Sequence, residues 1–441
     1  MTKLLTFLGN LLFCLAVPPL CSAAEPSSLH VVEGPIVVHA NVDQQWGGHT
    51  FSYLIEGKSA LFWSATTYNP DGKTWGSVIG QHPKSGAMLS PAATLIPFTE
   101  PNVKSMTQPL MLRSDDGYIH IFVGMSHDIG VENFHPGEIR YYRSATPEDI
   151  TTLVDRSELI PRDTPYKDFH LRMNAGVSRD GKRAAITILA ISPDGSVPFN
   201  TPVIFFADKQ GPDFVFRKPV KYAEAMGFFY PQIALTDNGT VLVGQLWDNP
   251  DRSLTRLIQL DEDGKVTHTE DLPATSDGNY WCLDLRPVAA ENWDELTLYY
   301  NKYPKDKADC RHEFWTYAPA THALTQRHSI PVPEGRINYG KWIPLAPGRS
   351  AFLHNPSMGT YDLIEGDLLN GGAHTVTPLP ATSPTLRGYA GTAHTFVPNP
   401  LQGSIDTPGS VWFASDYIPQ RNDPAERIRA TILLYRLAFG G

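Results

Sequence analysis

The sequence predicts an all-β chain folded as a seven-bladed β-propeller, and three observations carry that expectation. A unit of roughly 55–60 residues recurs seven times, a period that marks propellers and solenoids. Each recurrence reads as four short strands, and with 41% apolar residues and 38 prolines the composition suits strands and turns over long helices. The clearest inner strand pairs, 107–125, 172–190 and 230–247, are hairpins with Asp-Gly or Asn-Gly between alternating apolar runs. Both turn residues of such a hairpin accept positive φ, which makes this the strongest short-range hairpin signal.

The elements follow in order. Residues 1–24 read as a secretory signal: Lys3 is the positive start, Leu4 to Val17 the apolar stretch, and Ser22-Ala23-Ala24 the cleavage site. The apolar run is too short to span a bilayer as a mature helix. Cys21 lacks the leucine three places earlier that a lipoprotein signal carries, so no lipid anchor is expected. Residues 25–441 show no linker and no shift of composition and are expected to form a single β-propeller domain. Its blades are expected at 49–98, 107–160, 170–222, 229–272, 280–331, 338–380 and 389–438. The last unit has only three good strands, and the orphan strand 29–40 (LHVVEGPIVVHA) supplies the fourth. Closing the ring with a strand from the opposite terminus removes the exposed edges an open sheet would carry. Helical turns are expected only at 147–158.

The formal charge of −10 argues against nucleic acid and anionic membrane surfaces, both of which select a basic footprint. An anionic glycan remains open, because a few pocket arginines act locally. The expected product is an exported protein, secreted or periplasmic, without membrane insertion and monomeric. Two of the four cysteines leave with the signal, and the remaining pair, Cys282 and Cys310, is expected to form a disulfide. Cys282 starts an inner strand, and Cys310 lies in the connection between the second and third strands of the same blade. Those two regions open on one face.

That face also collects the residues that carry chemistry. The starts of the inner strands contribute His49, Gln108, His170, Arg172, Asn174, Tyr230, Trp281 and His394, and the long loop after the second strand of blade 2 contributes His127. A ring of aromatic and polar groups is what a sugar site needs, with flat faces for the rings and polar groups for hydroxyls and carboxylates. Residues 168–174 alternate, so His170, Arg172 and Asn174 are expected on one side. Arg172 suits bidentate capture of a carboxylate. His127 has a ring that exchanges protons near neutral pH, and Tyr230 is a proton donor or a sugar platform. Each also has a plain structural reading: a hydrogen-bonded histidine, an inter-blade salt bridge for Arg172, core packing for Tyr230. The chain has no Cys/His metal spacing, Gly-rich phosphate loop, His-Glu-x-x-His or Gly-x-Ser-x-Gly, so no cofactor is expected, while a structural metal ion held through space by several ring histidines stays open.

The Asp-Gly turns are similar to the Asp-boxes of sialidases, although none is complete; 69–75 (NPDGKTW) is one residue short. They read as ordinary hairpin turns on the face away from the pocket. The segments QPLMLRSDDGYIHIFVGMSH, IRYYRSATPEDI and FYPQIALTDNGTVLV resemble the sialidase-like propellers with BNR-type repeats. More narrowly, they resemble the seven-bladed group that includes ulvan lyases and enzymes acting on rhamnose–glucuronate linkages. The resemblance implies a carbohydrate-active enzyme that cleaves a uronate-containing polysaccharide by β-elimination. In that group a histidine and a tyrosine move protons at C5 and O4, and an arginine neutralises the carboxylate. By position these are His127 and Tyr230, with Arg172 as neutraliser. The sequence departs from the group at Met106, three residues before Pro109, where a histidine is usual; either His49 or His170 substitutes, or the chemistry differs. Two alternatives stay open: a glycoside hydrolase on the same scaffold, and a glycan-binding propeller without catalysis. A sialidase arginine triad from Arg140, Arg143, Arg172, Arg336 and Arg387 lacks the accompanying Phe/Tyr-Arg-Ile-Pro motif.

Overall fold

The computed structural model describes residues 29–42, 53–68, 75–84, 90–97, 109–125, 138–161, 168–191, 201–222, 228–249, 252–272, 278–304, 310–331, 340–346, 349–357, 360–379, 395–405, 410–417 and 430–439. Strand β1 (Leu29–Val42) comes first. Blade 1 holds β2 (Leu54–Glu56), β3 (Ala60–Tyr68), β4 (Trp75–Pro83) and β5 (Ala92–Pro97). Blade 2 holds β6 (Leu110–Arg113), β7 (Ile119–Met125), β8 (Glu138–Thr146) and β9 (Asp149–Asp155). Blade 3 holds β10 (Asp168–Val177), β11 (Arg183–Ile191), β12 (Thr201–Gln210) and β13 (Asp213–Phe216), with β14 (Val220–Lys221) also on β12. Blade 4 holds β15 (Phe228–Thr236), β16 (Gly239–Asn249), β17 (Arg252–Leu260) and β18 (Val266–Asp271). Blade 5 holds β19 (Gly278–Ala289), β20 (Asn292–Pro304), β21 (Arg311–Ala318) and β22 (Ala323–Pro331). Blade 6 holds β23 (Gly340–Ala346), β24 (Arg349–Ser357), β25 (Thr360–Gly366) and β26 (His374–Leu379). Blade 7 holds β27 (Thr395–Phe396), β28 (Ser410–Tyr417) and β29 (Ala430–Phe439).

The chain is a seven-bladed β-propeller. The fourth strand of blade 7 is β1, which runs antiparallel to β29 from Leu29 opposite Phe439 to Val42 opposite Ala430. That is the closure the orphan strand predicted. At its far end Val42 also pairs with Thr67 of β3, so the closing strand reaches blade 1.

The expected helical turns at 147–158 are corrected. Pro147 and Glu148 turn the hairpin between β8 and β9, with Glu148 at φ 51°, and the β9 strand follows. Ile150, Thr151, Thr152 and Val154 are β-branched and suit the pleated strand better than a helix. Within that segment the helical part is the 3₁₀ turn Ser157–Leu159.

The alternation along each strand sorts side chains between two neighbouring blades. In β3, Leu61, Trp63 and Ala65 join an apolar cluster with Trp412, Ala414, Ile432 and Leu434 of blade 7. Ala60 and Phe62 join another with Met111, Ile119 and Ile121 of blade 2. In blade 5, Leu296, Leu298 and Tyr300 pack towards blade 4, while Tyr299 packs against Trp342 and Phe352 of blade 6. A blade buried on both faces needs apolar residues on both, which explains the near-continuous apolar runs.

One connection does more than join strands. Residues 397–405, in the inner hairpin of blade 7, cross the inner strands of blades 1 to 5. Arg286 of β19 donates to the Pro398 and Val397 carbonyls, at 2.6 and 3.1 Å, and Asn399 Nδ2 donates to the Leu285 carbonyl at 3.0 Å. The 3₁₀ turn Pro400–Gln402 touches β6, β10, β15 and β19. Beyond it, Ile405 N donates to the Glu56 carbonyl of β2 at 2.9 Å. Gly403 adopts φ 82°, and a Cβ there would sit 1.9 Å from the Arg113 carbonyl oxygen; this close approach admits glycine alone. The segment therefore plugs the axis at the end where the inner strands finish.

Candidate active site

At the opposite end, the inner strands of three consecutive blades are interrupted at one level. In blade 3, His170 pairs with Leu189 and Asn174 with Thr187, so four steps on β10 cover two on β11. In blade 4, Phe229 pairs with Gln245 and Gln232 with Val243, three steps against two. In blade 5, Trp281 pairs with Asn301 and Asp284 with Tyr299, again three against two. Extra residues in a ladder bend the strand and re-aim what it carries, and such bulges favour active sites. The interruptions hold Arg172 in blade 3 and Tyr230 with Pro231 in blade 4, and the third begins at Trp281. Pro231 fits there because it has no N–H to give to the ladder.

Regular pairing resumes in the three blades at Asn174, Gln232 and Asp284. All three are polar, yet they are 5%, 3% and 3% exposed; Lys341 of β23 extends the layer to blade 6 at 1%. Buried polar groups need partners, and here the bonds run from blade to blade. Asn174 Nδ2 donates to the Pro231 carbonyl at 3.1 Å, while its Oδ1 accepts from Ala175 N at 2.7 Å. Asp284 Oδ2 accepts from Arg286 Nε at 2.7 Å and from Trp342 N of blade 6 at 3.4 Å. Asp284 Oδ1 lies 3.7 Å from Lys341 Nζ. Through Arg286, this layer is tied to the plug below it.

The structure thus brings His170, Arg172, Asn174, Tyr230 and Trp281 onto adjacent inner strands of blades 3 to 5. The side chains of His170, Arg172, Tyr230 and Trp281 are outside the described residues, and so are His49, Gln108, His127 and His394 entirely. The simple alternation expected for 168–174 does not run through, because Arg172 falls within the interruption. Asn174 is buried, with both ends of its amide bonded to backbone. Cys310 is buried immediately before β21, and Cys282 lies within the blade 5 interruption with its side chain outside the described residues. Sequence reasoning missed Asp284 and Arg286. Their signal was an Asp-x-Arg alternation inside an apolar inner strand, where a charged pair needs a reason to be.

Other titratable groups belong to the scaffold. His120 of β7 is fully enclosed, with Nδ1 2.7 Å from Tyr141 Oη and Nε2 3.0 Å from Ser114 Oγ. Burial pushes its pKa down to about 3, so the ring stays neutral and packs. Burial pushes Glu148 upward, but bonds from Lys58 N, the Ser59 hydroxyl and Ser59 N, together with Arg113, outweigh it and hold the carboxyl below its usual range. Glu148 thereby ties blade 2 to the first turn of blade 1. The Asp-Gly turns act likewise: Ser114 Oγ donates to Asp116 at 2.6 Å, Ser178 Oγ to Asp180 at 2.7 Å, and Lys209 of blade 3 pairs with Asp115 and Asp116. Among the described residues, no group of three or more His, Cys, Asp or Glu side chains is placed to hold a metal ion. Among them, too, no helix is long and apolar enough to cross a membrane.

No protein-family model matches the sequence, and no curated protein matches it. Among solved structures, the chain is similar to polysaccharide lyase Uly1, with a TM-score of 0.51 and 10% identity, covering 94% of this chain and 99% of that one. It also matches the Hadza microbial sialidase Hz136 (TM-score 0.44, 10% identity, 82% and 73% covered). A third match is an α-L-arabinanase of Penicillium chrysogenum (TM-score 0.45, 12% identity, 76% and 94% covered). At such identities the likeness is one of fold, and in fold this chain follows the Uly1 structure over nearly its whole length.

Proposed function

We propose that the protein is an exported enzyme that cleaves an acidic, uronate-containing polysaccharide by β-elimination, at the end of the axis where the inner strands begin. The observation that carries this reading is the set of interruptions at Arg172, Tyr230 and Trp281 on three neighbouring inner strands, each lying before the part of its strand that meets the plug. The fold shared with a polysaccharide lyase supports it.

In the proposed reaction, a base removes the proton at C5 of the uronate, and the electron pair forms the C4–C5 double bond. The C4–O4 bond breaks, and an acid returns a proton to O4 of the leaving chain. Arg172 pairs with the carboxylate, so that charge developing next to it is stabilised. Tyr230 and a histidine, His127 or His170, exchange the protons. Trp281 offers a ring face to a sugar, and His49, Gln108 and His394 are the further candidate contacts. No cofactor enters the reaction.

Mass spectrometry of the products tests the reading. Elimination gives a new chain end lighter by one water than hydrolysis gives. Products carrying the added water would instead identify a glycoside hydrolase on this scaffold, and binding without products would identify a lectin.

A further inference from the structure

We propose that Asn174 and Asp284 are positioning residues that fix, from blade to blade, the interruptions carrying Arg172, Tyr230 and Trp281. The inference rests on the reading of that region as the active site. Each of the two ends an interruption in its own inner strand. Each is nearly fully buried, too enclosed to serve as a broad sugar contact. Each bonds the backbone of the next blade: Asn174 holds the Pro231 carbonyl, one residue beyond Tyr230, and Asp284 accepts from Trp342 N.

An interruption on its own is soft, because its extra residues lack ladder partners. The Asn174 amide supplies the missing constraint. Its Oδ1 is fixed by Ala175 N, which aims Nδ2 at Pro231, so the bend in blade 3 sets the bend in blade 4. In blade 5 the anchor runs downward: Arg286 bonds the Asp284 carboxylate and the Val397 and Pro398 carbonyls of the plug together. The mouth of the axis is thus referenced to its closed end, and the plug acquires a part in aligning the site. Reacting groups must be held closely, and a displacement of about 1 Å costs about 10²-fold in rate.

The test uses the full chain with 3-fluorotyrosine at position 230 and reads its ¹⁹F resonance. Asn174→Asp keeps the acceptor for Ala175 N and sets an oxygen against the Pro231 carbonyl. The expected result is a moved Tyr230 resonance and unchanged thermal unfolding of the remaining blades. On an acidic polymer, kcat should fall by about 10²-fold while KM stays within about threefold. Asn174→Ala, which removes the bond without the repulsion, serves if the Asp variant does not fold, and should move the same resonance. With 5-fluorotryptophan at 281, Asp284→Asn should likewise move the Trp281 resonance. Resonances that stay in place in folded variants overturn the proposal, and so does a moved Tyr230 resonance with kcat unaltered. If the unsubstituted protein cleaves no uronate polymer, the proposed function fails, while the ¹⁹F readout still decides whether Asn174 positions Tyr230.

Discussion

Arg286 of blade 5 donates from Nη1 to the Pro398 carbonyl at 2.6 Å, which joins a central inner strand to a connection that belongs to blade 7. The ring is therefore held at two radii. At the rim, β1 zips onto β29; at the axis, the 397–405 segment bonds inner strands that are distant in sequence.

The axial contact predicts large stability effects from small changes far from any loop of the proposed site. Arg286→Met leaves a buried carboxylate and two buried carbonyls short of a donor, a loss of about 3–5 kcal/mol. Gly403→Ala forces a Cβ onto the Arg113 carbonyl at positive φ, at a cost of about 1–3 kcal/mol or more. Urea unfolding of both variants checks this. Midpoints equal to the parent protein would show that the plug does not hold the ring.

His120 predicts the direction of the pH dependence. Its folded pKa is pushed down from 6.5 to about 3. Below pH 6.5 the unfolded chain binds a proton that the folded chain refuses. Its contribution is therefore complete above pH 6.5 and declines towards pH 3, by about 1.4 kcal/mol per pH unit. His120→Gln, which does not titrate, should be less stable at neutral pH but flatter between pH 6.5 and about 5. Equal slopes in urea midpoints against pH would contradict the assignment.

The proposed Cys282–Cys310 bridge closes a loop of about 29 residues and should contribute roughly 3–4 kcal/mol on the chain-entropy estimate. Peptide mapping of the oxidised protein should recover the two cysteines in one linked fragment, and reductant should lower the unfolding temperature. Two alkylatable thiols in the unfolded but unreduced protein would rule the bridge out.

What the sequence made legible follows physical locality. Asp-Gly hairpins and period-two runs are local signals, and they placed the blades within a few residues; the orphan strand at 29–40 was legible because blade 7 lacked one. The 147–158 segment misled because Pro147, Glu148 and Asp149 imitate a helix start, whereas Glu148 at φ 51° belongs to a hairpin. The plug was illegible in VPNPLQGSI: Asn399 and Gly403 mark a short turn locally, but its bonds reach Leu285 and Glu56, far away in the chain. The interruptions were hidden for the same reason. Whether Arg172 and Tyr230 sit in a regular ladder depends on how many residues the partner strand supplies, which no single strand states.

The central claim is that Arg172 and Tyr230 carry β-elimination on a uronate. Its most direct test is the ultraviolet absorbance of the unsaturated product, followed while the protein acts on a rhamnose–glucuronate polymer. The account predicts a steady rise with the parent protein, lost by about 10²–10⁴-fold in folded Arg172→Ala and Tyr230→Phe variants. New reducing ends without that absorbance, or undiminished rates in both variants, would contradict it.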